Sequence, residues 1–213
     1  MSNSAPFADP QFDITSSAQL EALFGQPGEA SLLKELDYLH PHYRRWIEAA
    51  PFLALATAGP EGLDCSPRGD PAGFVDVLDE KTLVIPDRRG NNRIDSLRNL
   101  VRDPRLALLF LIPGQGETLR VNGRARISTD PQLLENYAVD GKLPKLLLIV
   151  AVEAVFFQCS RAVVRAGLWD AGQHVARGRL PSPGQILSAT SQESIDGAAY
   201  DSALPERVRS TLY

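Results

Sequence analysis

Four groups of residues carry side chains whose type and spacing suit chemistry. The first is the run Ile85-Pro86-Asp87-Arg88-Arg89-Gly90-Asn91-Asn92-Arg93. Asn91 or Asn92 suits a helix N-cap, and Asp95 follows Asn92 by three residues, as in a capping box. A helix start presents backbone N–H groups and positive potential, so it attracts a phosphate. Arg88, Arg89 and Arg93 around that start would sharpen an anion site, and the same residues would also make a capped helix with solvated arginines. The second group is Cys65-Ser66-Pro67-Arg68-Gly69-Asp70. Its glycine permits close backbone approach to a flat ring, and Arg68 can reach an anion. The Arg-Gly-Asp triplet within it invites an adhesion reading, which no secretion signal supports. The third is Gly116 to Ala125, whose polar face suits a pocket lining or an exposed barrel face equally well. The fourth is Phe156-Phe157-Gln158-Cys159 with Arg161, Arg165, Leu168 and Trp169. Its aromatics suit a core or a dimer interface better than a cofactor stack.

Other chemistries lack their residues. His40-Pro41-His42 has no carboxylate or Cys cluster beside it, so no metal site is expected. No Gly-x-Gly-x-x-Gly follows a strand, and there is neither a phosphate-binding loop of the Walker type nor a nucleophile elbow. His174 is the only other histidine, which leaves a hydrolytic triad hard to build.

Composition sets the frame for these groups. At 213 residues and 44% hydrophobic, the chain suits one medium domain with terminal extensions. A net charge of -4 gives no general attraction to nucleic acid or a membrane surface. The 22 basic residues comprise 18 Arg and 4 Lys. Base composition of the genome explains such a bias, and so does a need for planar, bidentate anion binding, so position has to decide. Cys65 and Cys159 match no metal or redox spacing and read as reduced, partly buried thiols of a cytosolic protein. Met1 to Pro10 is polar without an apolar signal core, and Leu143 to Val152 is apolar but too short to span a bilayer. The expectation is a cytoplasmic protein with no membrane segment.

Those groups need elements to hold them. Thr15, Ser16 or Ser17 caps a short helix bearing Leu20, Leu23 and Phe24 and ended by Gly25, and a second helix runs from about His42 to Ala50. From Phe52 the texture is β. Strands are expected at Phe52–Thr57, at Leu63–Pro67 continuing after an interruption at 68–72 into Gly73–Leu78, and at Thr82–Ile85. Ile94, Leu97, Leu100 and Val101 then carry helical spacing up to Asp103-Pro104. Leu106–Ile112 and Glu117–Ile127 follow as strands, the second alternating Leu119, Val121, Gly123, Ala125 and Ile127 against Arg120, Asn122, Arg124 and Arg126. Asp130-Pro131 opens another helix, a long apolar strand closes at Phe157, and the tail holds a short helix near Pro183–Ala189. Five or six strands at hairpin spacing with few long helices indicate a small barrel.

The order of these motifs resembles the pyridoxamine 5'-phosphate oxidase-like family of FMN-binding split β-barrels. The resemblance rests on Ser66 to Asp70, Arg89 to Arg93, Asp103-Pro104-Arg105 and the strand after it, Arg120 to Ala125, and Val155 to Gln158. It is strongest with a subgroup of FMN-dependent proteins carrying Ser-Pro-Arg-Gly-Asp, Arg-Gly-Asn-Asn-Arg and Arg-Val-Asn-Gly-Arg-Ala. The resemblance implies a mainly β fold with flanking helices, a homodimer, and FMN at its interface. The implied layout is a helical extension over 1–51, the barrel over 52–170, and a C-terminal extension over 171–213 packing on the barrel. It implies cofactor contacts from Ser66, Arg68, Arg88, Asn91, Asn92, Arg93, Thr118 and Arg120, with Arg165 and Trp169 closing the pocket from the second subunit. It assigns no catalytic residue. The oxidase's Arg-Leu-His substrate motif is replaced by Ala162 to Gly167, which implies poor turnover of pyridoxamine 5'-phosphate. The expected activity is FMN-dependent oxidoreduction of an unidentified small molecule with a small-molecule electron donor. The alternatives are a non-catalytic flavin carrier or redox sensor, and a barrel that holds haem or a deazaflavin.

Overall fold

The structure, a computed structural model, describes residues 9–176 and 178–212. The stretch 1–8, most of the polar N-terminus noted above, lies outside them. Contacts divide the chain into two units, 1–35 and 36–213. In the first, a 3-10 turn at Pro10–Phe12 precedes α1 (Ser17–Phe24) and α2 (Glu29–Leu33). Of the three expected caps for α1, Ser16 takes the position. Its Oγ accepts from Gln19 N, while Gln19 Oε1 accepts from Ser16 N, and Gly25 ends the helix at φ 69°.

The second unit begins with α3 (Pro41–Ala49), where Pro41 sets the first helical φ and His40 Nδ1 accepts from His42 N. Its Ile47 is fully buried, with Tyr43 and Trp46 packed against the same core. The strands are β1 (Phe52–Gly59), β2 (Gly62–Gly69), β3 (Asp76–Asp79), β4 (Thr82–Pro86), β5 (Arg105–Leu111), β6 (Thr118–Ser128) and β7 (Leu147–Gln158). The helices between and after them are α4 (Asp95–Arg102), α5 (Pro131–Glu135), α6 (Arg161–Arg165), α7 (Pro183–Thr190) and α8 (Gly197–Thr211).

All seven strands form one antiparallel sheet in the order β2-β1-β5-β6-β7-β4-β3. The alternation read in β6 is borne out. Leu119, Val121, Gly123 and Ala125 are buried, whereas Arg120, Arg124 and Arg126 are exposed. Leu53 and Leu55 of β1, Leu106, Leu108 and Phe110 of β5, and Val150, Val152 and Val155 of β7 join them in a single core that also takes in Leu100 of α4. A mainly β protein with flanking helices is therefore what the chain forms.

Several sequence expectations are corrected. The sheet has seven strands rather than five or six. β2 runs through Pro67, Arg68 and Gly69 rather than stopping at Pro67; it is an edge strand, where a residue without an N–H is tolerated. The strand expected at Gly73–Leu78 is reduced to Asp76–Asp79, because Gly73 at φ 89° turns the chain just before it. The tail carries a 15-residue helix, α8, that its Gly, Pro and Ser texture concealed. Asp201 ties that helix to α7 by accepting from Gly184 N at 2.8 Å and from Ser182 Oγ. Cys65 and Cys159 are exposed, not partly buried: one faces outward from the edge strand, and the other follows the end of β7. Among the described residues no helix is long and apolar enough to cross a membrane.

One glycine is essential to closing the sheet. Between Asn122 and Gly123 the β6–β7 register slips, so that Asn122 faces Ala154 and Gly123 faces Val152. A Cβ on Gly123 would sit 2.2 Å from the Ala151 carbonyl oxygen, which belongs to backbone and cannot swing aside. We expect Gly123→Ala to lower unfolding free energy by about 3 kcal/mol, the upper range for overpacking a rigid site. A urea titration checks this, and a loss under about 0.5 kcal/mol, the size of a neutral surface change, would show that the strands can part at the bulge.

Candidate functional site

The two edges of the sheet, β2 and β3, are not paired with one another. At the β2 edge lies a cavity of about 400 Å³, inside the roughly 300–1,000 Å³ usual for small-molecule sites. The end of β2 contributes Pro67, Arg68 and Gly69, and the end of β4 contributes Pro86. The following turn gives Asp87 to Asn92, the start of α4 gives Ile94 and Leu97, and the approach to β7 gives Lys145 and Leu146. Phe74, Pro86, Ile94, Leu97 and Leu146 make apolar walls, while Arg68, Arg88, Arg89 and Lys145 supply four cations against the single carboxylate of Asp87.

Helix α4 positions the turn. A Cβ on Gly59 would lie 2.2 Å from Asn99 Oδ1, so this glycine lets α4 sit directly on β1. Asn99 Nδ2 donates to Thr57 Oγ1 at 3.2 Å and to Gly62 O at 3.4 Å, fixing the helix along the β1–β2 hairpin. The expected N-cap is corrected here. Neither Asn91 nor Asn92 caps α4; the cap position belongs to Ile94, with φ 55° and no side-chain cap hydrogen bond. Asn91 Oδ1 instead accepts from Arg93 N at 3.1 Å, and Asn92 Oδ1 accepts from Lys145 Nζ at 3.1 Å. Asn92 at φ 60° and Ile94 at φ 55° both occupy the left-handed region, which a β-branched residue enters only under strain. The turn therefore leaves the first N–H groups of α4 without a side-chain acceptor, beside a cationic cavity.

The candidate residues fall into distinct places. Arg68, Arg88, Asn91 and Asn92 line the cavity together. Arg88 also braces it: its Nε donates to Asp70 at 2.9 Å, its Nη1 donates to Tyr137 O at 2.8 Å, and both side chains of the ion pair are 16% exposed. Tyr137 in turn donates to Asp76 Oδ2 at 2.9 Å, and burial followed by that bond pushes its phenol up to about 12. Ser66 stands behind Arg68, accepting from its Nη1 at 2.9 Å. Arg93 does not line the cavity. It pairs with Asp95 at 2.8 Å and borders a separate shallow groove with Glu61, Asp64 and Arg98.

Thr118 and Arg120 lie outside the cavity as well. The end of β6 that pairs with β7 near Leu147 is Ser128, and the strand between Thr118 and Ser128 spans roughly 30 Å. Arg120 stacks its guanidinium 5.4 Å from the Phe156 ring centre. Trp169 Nε1 donates to Gln115 O at 2.6 Å, and Arg165 is exposed at the end of α6. Within one chain, then, these four are not brought to the cavity. Sequence reading placed Asp87 in the candidate turn without a role, and did not single out Phe74, Leu97, Lys145 or Leu146 for the site. Only Lys145 left a trace, as one of two lysines in Gly-Lys-Leu-Pro-Lys within a chain that otherwise prefers arginine.

Asp87 is the electrostatic oddity of the site. Burial pushes its carboxyl above the ordinary range, and the nearby charges of Arg68 and Lys145 only partly oppose that push. No hydrogen bond to its carboxylate is found among the described residues.

The pyridoxamine 5'-phosphate oxidase family profile matches residues 39–159, more than half the chain, from the start of α3 through the last strand. The chain belongs to the pyridoxamine 5'-phosphate oxidase family. The family match holds all seven strands and the whole cavity, and it leaves out the segment with Arg165 and Trp169 and the helices α7 and α8. Among solved structures, HupZ of Group A Streptococcus is 20% identical, covering 57% of this chain and 94% of its own at a TM-score of 0.46. General Stress Protein 26 of Bacillus anthracis is 14% identical, covering 53% and 88% at 0.41. An FMN-binding protein of Syntrophomonas wolfei is 12% identical, covering 66% and 94% at 0.41. These likenesses are too distant to carry a ligand across. Among curated proteins, none matches the chain.

The position of Asp87 sets a pH test. A carboxyl raised in the folded state adds stability when protonated and loses it as pH rises through the folded value. At neutral pH its charge therefore works against the ligand-free fold. Asp87→Asn is expected to raise Tm at pH 7, with the gain shrinking toward zero as pH falls below the ordinary Asp value of 3.8. Thermal unfolding between pH 3 and pH 8 checks this, and a Tm gain independent of pH would assign the effect to something other than the charge.

Proposed function

We propose that this family member is an FMN-binding oxidoreductase acting on a small molecule other than pyridoxamine 5'-phosphate. The observation that carries the reading is the pairing, in one cavity, of a cationic end with apolar walls. FMN presents the same division: a phosphate dianion at one end and a flat aromatic ring system at the other. The residues fit the group. Arg68 offers a planar fork, the strained Asn92–Ile94 turn leaves α4 open to an anion, and Phe74, Ile94 and Leu97 give a ring something to lie against. When bound, FMN supplies the electron transfer. The chain's own residues then bind the phosphate, orient the ring and keep water from one of its faces. No His, Cys, Met or Tyr is among the described residues lining the cavity, so haem finds no side-chain axial ligand there.

The reading extends to a homodimer. Thr118, Arg120, Arg165 and Trp169 stand apart from the cavity of their own chain, and a partner subunit is the source from which they would complete it. Large apolar side chains left open on the sheet and α4, among them Leu63 at 89% and Val101 at 76% exposure, support such an interface. A second, smaller groove lined by Arg89, Asn92, Lys142 and Lys145 adjoins the cavity and would favour an anionic substrate or electron donor.

Two measurements test the proposal. The purified protein is expected to be yellow with flavin absorption bands. Arg68→Ala should weaken FMN binding about 10- to 100-fold, the worth of one or two charge-assisted hydrogen bonds, while Arg126→Ala on the outer face of β6 should leave it unchanged. A colourless protein that cannot be reconstituted with FMN would remove the cofactor. Separately, the FMN-loaded protein should turn over pyridoxamine 5'-phosphate negligibly, and steady oxygen consumption with that substrate would restore the oxidase activity.

A further inference from the structure

Arg68 enters the cavity from an edge strand, and its guanidinium is anchored by residues of that same strand. Its Nη1 donates to Ser66 Oγ at 2.9 Å and to Pro67 O at 2.9 Å. Ser66 Oγ lies 2.8 Å from Ser96 Oγ, and Ser96 Oγ donates to Asp64 Oδ2 at 2.5 Å. The direction of this chain is forced. An ionised carboxylate only accepts, a guanidinium only donates, and each hydroxyl has one hydrogen. Ser96 gives its hydrogen to Asp64, so the hydrogen between the two serines must come from Ser66. Ser66 is thereby left to accept from Arg68. The run is one-directional, from the Arg68 cation through two hydroxyls to the Asp64 anion, and each bond polarises the next.

The geometry has a second consequence. Both hydrogens of Arg68 Nη1 are engaged, by Ser66 and by Pro67. Its Nε–H and the two Nη2–H groups have no acceptor among the described residues. They form a planar edge on a side chain that lines the cavity, the edge that grips a phosphate through two oxygens. Ser96 is 3% exposed and sits in the first turn of α4, so the relay also crosses from helix to strand. We propose that Asp64, Ser96 and Ser66 act as positioning residues, a relay that locks the Arg68 guanidinium with its free edge presented to the ligand's phosphate. This rests on the FMN reading and assigns it a specific mechanism: Ser66 serves the cofactor through Arg68 rather than by touching it.

The test is a binding comparison with a built-in control for packing. FMN and riboflavin share the ring and the sugar chain, and only FMN carries the phosphate. Ser96→Ala and Ser66→Ala are each expected to weaken FMN binding about five- to tenfold, and riboflavin binding by less than twofold. In an Arg68→Ala background, neither substitution should weaken FMN further. Equal losses for FMN and riboflavin, or full additivity with Arg68→Ala, would overturn the relay and leave Ser96 a packing residue. Ser66→Ala keeps the experiment decisive if Ser96→Ala fails to fold. If the wild-type protein binds no FMN, the cofactor reading fails and the relay is judged on the ligand-free chain. Nitrogen-15 spectra should then show the Arg68 Nη groups rotating slowly in the wild type and freely in both serine variants; no change would overturn it.

Discussion

The seating of α4 on the β1–β2 hairpin is the contact on which the site depends. Gly59 has no side chain because Asn99 occupies that space, and Asn99 joins the helix to Thr57 and Gly62. Ser96, one turn earlier, joins the same helix to Asp64 and Ser66. With α4 bound to both strands of the hairpin, the start of the helix has little freedom. The chain from β4 must reach it through a short turn, and that turn closes only with Asn92 and Ile94 in left-handed conformations. Strain of this kind costs on the order of 1–3 kcal/mol per residue. It persists because the helix on one side and the β4–β7 ladder on the other leave no easier path.

Charge in the cavity divides by burial and partner. Arg88 is paired with Asp70 and donates to the Tyr137 carbonyl, so its cation is largely matched within the chain and it serves as a brace. Arg93 is matched by Asp95 outside the cavity. Arg68 keeps part of its guanidinium unmatched, and no ion pair holds Arg89 among the described residues. The distinction matters more than the excess of arginine over lysine in the sequence. A cation already matched by a buried carboxylate adds little to ligand binding, whereas one held by neutral hydroxyls keeps its charge for the ligand. Asp87, which feels the charges of Arg68 and Lys145, tempers the positive potential of the cavity.

The sheet was legible in the sequence because strand alternation is a local signal: the buried and exposed positions of β6 follow directly from Leu119-Arg120-Val121-Asn122 and onward. Arg68 and the turn after β4 were legible for the same reason, through composition and neighbours. The cap was not. Asn91 and Asn92 are good caps by type, but which residue takes the position is decided by where α4 docks, and Ile94 would never be chosen on propensity. Lys145 was hidden by distance, since 53 positions separate it from the Asn92 it meets. The edge character of β2, which lets Pro67 and Gly69 stay in the strand, is likewise a property of sheet order and not of those residues.

The unpaired edge at β2 gives the cavity its place at the margin of the sheet. A closed barrel of this size fills its interior with side chains, and here the interior is filled, with Leu53, Leu83, Phe110 and Val150 inside. The cavity accordingly lies outside the core, against an edge. An edge strand leaves backbone groups and alternate side chains exposed, and β2 uses them in two ways. Its Arg68 side chain turns toward the cavity, while Ser66 and Asp64, two and four residues earlier on the same face, reach Ser96 of α4. One strand face thus carries the grip and the support that holds it. The other walls come from the turn after β4, the start of α4 and the approach to β7, so four separate stretches of chain meet at that edge.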